Sequence, residues 1–289
     1  MPNRLPAKSD LIILKANQLK ALPWLIHGFS TRCGGLSRGY GGHALNLGFT
    51  RDDKRSVVTR NRNRFLARLT GGKTPGTLIT LRQVHSDLIH PVDASPGHPL
   101  TGDGLLTASP GLLLAVQTAD CLPVILVDVR RRAVGVFHAG WRGTVQRIVE
   151  KAVGEMLRRF GSRPRDLRAA IGPGIHSCCY EVGEEVRQEF ESQFAYASSL
   201  FLEIKDADPV REKYPLLFLS ARPPGHSRPT VKLLFDLVEA NRRQLLATGV
   251  PAKSIEAIPL CTACRTDLLF SYRAQHGVTG RLMGVVGIR

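Results

Sequence analysis

His85, Cys121 and His138 are three soft or borderline metal ligands, each placed beside an apolar run that reads as a strand. Two imidazoles and one thiolate suit Zn2+. Three protein ligands leave the fourth tetrahedral position to water or substrate, which is the arrangement of catalytic zinc. Spacing alone leaves a second reading open, because a histidine or cysteine at a strand end commonly serves packing or hydrogen bonding. Local context adds to the chemical reading. Cys121 lies in TADCLPVIL, where Asp120 is a neighbouring carboxylate able to orient a group and Pro123 helps fix the turn into the next run. His138 opens HAGWRGT. There Gly140 and Gly143 permit close backbone approach, and Arg142 with the amides of a helix start can hold an oxyanion. The same segment also reads as a plain tight strand-to-helix turn.

A second anion-binding candidate is HGFSTRCGGLS, in which Arg32 precedes Gly34 and Gly35 in a loop after a strand. Glycine-rich loops present amides to phosphate, and arginine adds a bidentate fork. The segment lacks the spacing and the lysine of a P-loop.

The elements that must position these residues follow from periodicity. Apolar, β-rich runs bounded by Gly, Pro or Asp predict strands over 25–30, 77–84, 112–117, 123–129, 133–138, 167–171 and 282–288. Helical spacing predicts helices over 144–160, closed by Gly161, and 235–248, closed by Gly249, with further candidates at 56–69 and 183–194. The strand block from 112 to 138 leaves no room for intervening helices, which argues for an α+β fold with antiparallel pairing. Without a Gly/Ser linker or an internal repeat, one domain over 1–289 is expected. Within it, 211–234 reads as an irregular Arg/Pro-rich excursion.

The chain is 43% hydrophobic and 22% charged over 289 residues, which excludes disordered and collagen-like classes and allows a substantial core. A formal charge of +16 favours anionic ligands or a nucleic acid. The excess is spread over 51–64, 130–132 and 158–168, however, and reads first as a solvated basic surface. No RRM, KH or helix-turn-helix signature supports a nucleic-acid-binding protein. The most apolar long stretch, 111–129, is interrupted by Gln117, Thr118, Asp120 and Asp128, so no membrane span is expected. The first fourteen residues hold too short an apolar run for a signal peptide, and cytoplasmic residence is the expectation.

FSTRCGGLS, ALNLG, LRQVHS, DGLLT, TADCLPVIL, VFHAGWRGT, IGPGIHSCCYEVGEEV, FDLVEANRRQLLATGV and FSYR followed by GVTGR occur in this order along the chain. On these segments it resembles, over nearly its whole length, the YfiH family of laccase-domain or polyphenol-oxidase-like proteins, also described as purine nucleoside phosphorylases. The resemblance implies a four-layer α/β/β/α arrangement of mixed sheets. It also implies that His85, Cys121 and His138 are zinc ligands, and that Arg32, Asn46, Gln83, Arg142 and Arg273 line the same pocket as substrate or phosphate contacts. The chain departs from the pattern in the excursion before Phe235 and in AQHG between FSYR and VTGR, both of which bear on substrate preference.

The implied activity is phosphorolysis of adenosine, inosine and methylthioadenosine, with adenosine deamination. Its partners would be a nucleoside and phosphate. No His-x-Glu motif of the familiar zinc deaminases is present, which leaves Asp120 as the nearest carboxylate in sequence for proton transfer. An alternative is a hydrolase removing a misincorporated amino acid from a UDP-muramyl peptidoglycan precursor. In that reading zinc-bound water, or Cys121 as nucleophile with His138 as base, attacks an amide. A copper-binding polyphenol oxidase is a third reading, since a His2Cys set can capture one copper ion. Nine histidines without a His-x-His pair do not furnish several copper centres.

Overall fold

Side chains alternate along the strand Leu112–Thr118 and divide it between two apolar clusters. Leu112, Leu114 and Val116 pack with Ile125, Val127, Val134 and Val136 of a second sheet. Leu113 and Ala115 pack with Phe65, Leu66 and Leu69 of the helix Arg55–Thr70. Successive residues of a strand face opposite ways, so one strand serves a sheet–sheet and a sheet–helix interface at once, and it is apolar on both faces for that reason.

The computed structural model describes residues 10–72, 76–205 and 231–289. Its fold is mixed α/β, with several sheets of mixed strand direction. A five-stranded sheet runs in the order Ile13–Leu14, Leu25–Ser30, Leu282–Ile288, Leu112–Thr118, Thr77–Ile79, with only the last pair parallel. A six-stranded sheet runs Ile255–Ala257, Leu167–Ile171, Leu122–Asp128, Ala133–Ala139, Gly104–Thr107, Ile89–Pro91, antiparallel at the centre and parallel at both edges.

The runs predicted at 25–30, 167–171 and 282–288 are strands with those bounds. Antiparallel pairing prevails in the block from 112 to 138, as expected, but its strands divide between two sheets. Leu122–Asp128 and Ala133–Ala139 form an antiparallel hairpin, whereas Leu112–Thr118 belongs to the other sheet, so the turn holding Asp120 and Cys121 is the crossing between the two sheets.

The helix expected over 144–160 is broken into Trp141–Val145 and Ile148–Phe160, with Arg147 left-handed at φ 65 between them. A tertiary contact sits at the break. The Thr144 carbonyl accepts from Arg147 N at 2.9 Å and from Gln244 Nε2 at 2.7 Å, and Asn241 Nδ2 donates to Thr144 Oγ1 at 3.0 Å. The Thr144 carbonyl thus closes its own helix with an i→i+3 bond and meets the helix Leu237–Ala247 with its other lone pair, and left-handed Arg147 ends the run there.

The chain forms two compact units, residues 1–176 with 237–289, and residues 177–236. The smaller carries the helix Glu184–Gln193 and a three-stranded antiparallel sheet, in which Phe190, Phe201 and Phe235 pack ring against ring. Of the excursion expected over 211–234, the last residues are regular after all, in the strand Val231–Phe235, and 211–230 lie outside the described residues. Among the described residues no helix is long and apolar enough to cross a membrane.

One core histidine makes the fold pH-sensitive. His27, 3% exposed in Leu25–Ser30, donates from Nε2 to the Ala16 carbonyl at 3.3 Å, and burial pushes its pKa down to about 4. The unfolded chain takes up this proton near pH 6.5 and the folded chain only near pH 4, so stability is complete above pH 6.5 and is lost as pH falls toward 4. The full loss is about 3 kcal/mol. Urea unfolding of wild type and His27→Gln at pH 7 and 4.5 checks it: the wild type loses more between the two pH values than the variant does.

Candidate metal centre

Hairpin register brings two of the three ligands together. The Leu122–Asp128 and Ala133–Ala139 pairing ends with Ala139 opposite Leu122, so the next residues along, Gly140 and Cys121, also meet. A Cβ on Gly140 would stand 2.8 Å from Cys121 Sγ and 3.3 Å from His85 Cδ2. His138, two residues earlier on its strand, shares that face. His85 arrives from the loop after Leu81–Arg82 with a left-handed backbone at φ 60. The two imidazoles meet edge to face, 4.9 Å between centroids at 77°. One ligand atom from each of His85, Cys121 and His138 lies within 4.8 Å of the other two. Burial grades from exposed His85 through half-buried Cys121 to His138 at 4% exposure, which leaves the group reachable from one side.

The electrostatics match a ligand set. Burial by itself pushes the Cys121 thiol up, but the charge of His138 and hydrogen bonds from His138 and His85 outweigh it and bring the thiol to about 6. Burial likewise opposes charge on His138, but the Cys121 thiolate and the hydrogen bond to Asp103 hold it up at about 9. A thiolate beside an imidazolium is the state from which a soft divalent cation displaces a proton.

Gly140 is the packing condition for this approach. Its own backbone, φ −82 and ψ 173, is open to any residue, so a side chain there is opposed by the ligands themselves, Cys121 first and His85 second. Gly140→Ala is expected to weaken metal binding by about tenfold or more through a displaced ligand while the fold persists. Chelator competition and a thermal melt check the pair of results.

The other expected site residues are distributed unevenly. Asp120 next to Cys121 accepts at Oδ1 from Thr262 Oγ1 at 2.6 Å and at Oδ2 from Arg273 N at 2.7 Å, so its carboxylate ties down the 262–273 loop. Asn46 is fully buried and staples Gly48, Thr50, Asp53 and Arg281. Gln83 clamps both backbone groups of Gln117 at 2.8 Å, steadying the loop that carries His85. Arg32 spends its fork on the carbonyls of Thr266 at 2.6 Å and Tyr40 at 2.5 Å, above the Phe270 ring. Arg142 is exposed, its guanidinium 4.4 Å from the Trp141 ring centroid, two residues beyond Gly140. Arg273 is exposed on the loop that Asp120 holds.

The carboxylate that does touch the trio is Asp103, whose Oδ1 accepts from His138 Nδ1 at 2.8 Å. Burial opposes its charge, and hydrogen bonds from His138 and Ser86 prevail, holding the carboxyl at about 2. Sequence reasoning missed it. DGLLT stood among the family segments, but no spacing rule ties Asp103 to a histidine 35 residues on.

A match to the family described as multi-copper polyphenol oxidoreductase laccase spans residues 26–289. The chain belongs to this family, the laccase-domain family of YfiH. A purine nucleoside phosphorylase of Deinococcus radiodurans is 38% identical over 96% of this chain and 93% of its own length. An adenosine deaminase, RL5, from an unknown prokaryotic organism is 37% identical over 62% of this chain and 59% of its own. The crystal structure of the hypothetical protein YfiH from Bacillus licheniformis superposes with a TM-score of 0.80 at 33% identity, covering 99% of this chain and 98% of that one. The family's description invokes several coppers. In this YfiH-family chain the described trio is a single three-ligand group with one thiolate. Nine histidines, two of them already in that group, leave little for further copper centres. The donor set fits one tetrahedral ion with an open position.

Proposed function

We propose that the chain is a cytoplasmic zinc-dependent purine nucleoside phosphorylase acting on adenosine, inosine and methylthioadenosine, with adenosine deaminase activity. The observation that carries this reading is the convergence of His85, Cys121 and His138 in a chain similar to a purine nucleoside phosphorylase over 96% of its length. His85, Cys121 and His138 would hold the zinc, which when bound supplies Lewis-acid polarisation of a ligand or water. Asp103 holds the proton of His138 at Nδ1. Arg142, whose planar fork stands exposed beside the site, binds the phosphate co-substrate. Asp120, whose oxygens each accept one hydrogen bond, from Thr262 Oγ1 and from Arg273 N, keeps a lone pair on each and is the candidate carboxylate for the proton relay of deamination.

Arg142, and not a general positive field, is assigned to phosphate because it is exposed two residues beyond Gly140 and carries a planar fork that can grip two oxygens. The deciding experiment is a substrate panel on metal-analysed protein. Adenosine, inosine and methylthioadenosine are offered with and without phosphate, beside UDP-muramyl amino acids. Phosphate-dependent release of the free base supports the proposal. Phosphate-independent conversion of adenosine to inosine alone sinks the phosphorolysis part of it.

A second reading has its own observation. The Cys121 thiol near 6 beside a charged His138 is also a thiolate–imidazolium pair, in which the thiolate attacks an amide carbonyl and the imidazolium, once it has taken its proton from the thiol, gives it to the leaving amine. A thiolate bound to zinc is a poor free nucleophile, so the two readings exclude each other. Turnover of UDP-muramyl amino acids by zinc-free protein would favour the second.

A further inference from the structure

Asp103 does more than touch one ligand. It is fully buried, and its carboxylate collects donors from two chain segments. Oδ1 accepts from His138 Nδ1 at 2.8 Å and His85 N at 3.1 Å; Oδ2 accepts from Val84 N at 3.2 Å, Ser86 N at 2.6 Å and Ser86 Oγ at 2.8 Å. Three successive backbone amides thus close around one anion, the nest geometry that a left-handed residue creates. His85, at φ 60, is that residue. A side-chain-bearing residue pays strain in this conformation, and here the carboxylate–amide bonds offset it. Without the anion, the amides of residues 84–86 would lose their acceptor and His85 its reason to stay left-handed.

The other end of the carboxylate acts on the second histidine. Because Nδ1 of His138 donates to Asp103, the nitrogen left for Cys121 is Nε2. A neutral imidazole carries its one proton where a fixed acceptor holds it, which keeps the Nε2 lone pair for a ligand. The main chains are pinned as well, with His138 N donating to the Asp103 carbonyl at 2.7 Å and Asp103 N to that of Leu88 at 2.9 Å.

We propose that Asp103 is the positioning residue of the whole donor set: one buried carboxylate fixes the ring of His138 through Nδ1 and the backbone of His85 through the 84–86 nest, and so presents both imidazoles to Cys121. The proposal rests on the metal reading of the trio and not on any nucleoside chemistry. Asn cannot replace Asp103 at the same volume. With its amide nitrogen toward the nest, it sets donor against donors. With that nitrogen toward His138, it requires Nδ1 to accept and moves the ring proton to Nε2, where it blocks ligation.

Two measurements test this on the full chain. In wild type loaded with zinc and labelled with 15N-histidine, His138 is expected to carry a proton at Nδ1 and to ligate through Nε2; ligation of His138 through Nδ1 would overturn the proposal whatever any variant does. In Asp103→Asn, chelator competition is expected to show zinc bound about 10–100-fold more weakly. The cobalt-substituted variant should keep its thiolate-to-metal band while its ligand-field bands change. Ser86→Ala, which removes one of the five donors, should shift affinity by less than about threefold. A folded Asp103→Asn with wild-type zinc affinity and an unchanged cobalt spectrum defeats the proposal. Wild type that takes up no zinc defeats the metal reading itself, an outcome separate from a failure to cleave nucleosides.

Discussion

Cys121→Ser is expected to yield a folded chain with less than about a tenth of the wild-type zinc occupancy and turnover lower by about 10^3-fold or more. The hydroxyl is smaller and does not ionise near neutral pH, so the set loses its only soft anionic donor while two imidazoles remain. A thousandfold loss corresponds to about 4 kcal/mol of transition-state stabilisation, within what a Lewis acid supplies. The fold should tolerate the change, because Cys121 is half-buried in a turn and contributes nothing to the apolar clusters. Alkylation separates ligand from nucleophile. A thiol near 6 is mostly thiolate at pH 7, so metal-free protein should react rapidly with iodoacetamide at Cys121 and zinc should protect it. Peptide mapping isolates this cysteine from the others. If zinc leaves the alkylation rate at Cys121 unchanged although activity is lost on labelling, the free-nucleophile reading replaces the metal-centred one.

Much of this site was legible because its parts are strand-end residues of distinctive chemistry. Cys121 and His138 flank a hairpin whose runs are strongly apolar and cleanly bounded, and once the two strands pair, their register alone sets Cys121 against Gly140. His85 was legible by type and by its QVHS context, although its strand is shorter than the 77–84 run suggested: Thr77–Ile79 and Leu81–Arg82 enter different sheets. What the sequence hid are polar commitments between distant residues. Nothing in the sequence showed that the fork of Arg32 reaches the carbonyls of Tyr40 and Thr266, or that the side-chain carbonyl of Asn46 accepts from Arg281 N, 235 positions away. Asp103, for which the sequence suggested no role, meets His138 for the same reason, since a buried carboxylate serves whichever donors the fold leaves unsatisfied around it. Periodicity carries no such information: it reports which face is apolar and not which polar atom finds which partner. The helix break at Arg147 belongs to the same class: Asn241 and Gln244, 97 and 100 residues on, bond to Thr144 at the break, and no Gly or Pro stands at the break in the sequence.

The contrast between Arg32 and Arg142 makes the phosphate assignment testable. Arg142→Lys is expected to raise the phosphate KM by about tenfold or more, with the nucleoside KM little changed. The lysine keeps the charge but loses the planar fork that grips two phosphate oxygens at once, and one charge-assisted hydrogen bond of this kind is worth about 1.5–3 kcal/mol. Arg32→Lys should behave differently. Its guanidinium already serves two carbonyls and lies 4.8 Å from the Phe270 ring centroid, so the substitution loosens the 32–45 and 266–270 loops and should lower thermal stability before it touches phosphate dependence. Initial rates against phosphate at fixed adenosine, with melts of both variants, separate the two. A small and equal shift in phosphate KM for both would mean that these arginines only raise the local positive field, an effect that added salt should then abolish. A large shift in Arg32→Lys alone would mean that Arg32 exchanges its carbonyl partners for phosphate in the occupied enzyme, and would move the anion site to the cleft that Arg32 shares with Tyr40, His43 and Thr266.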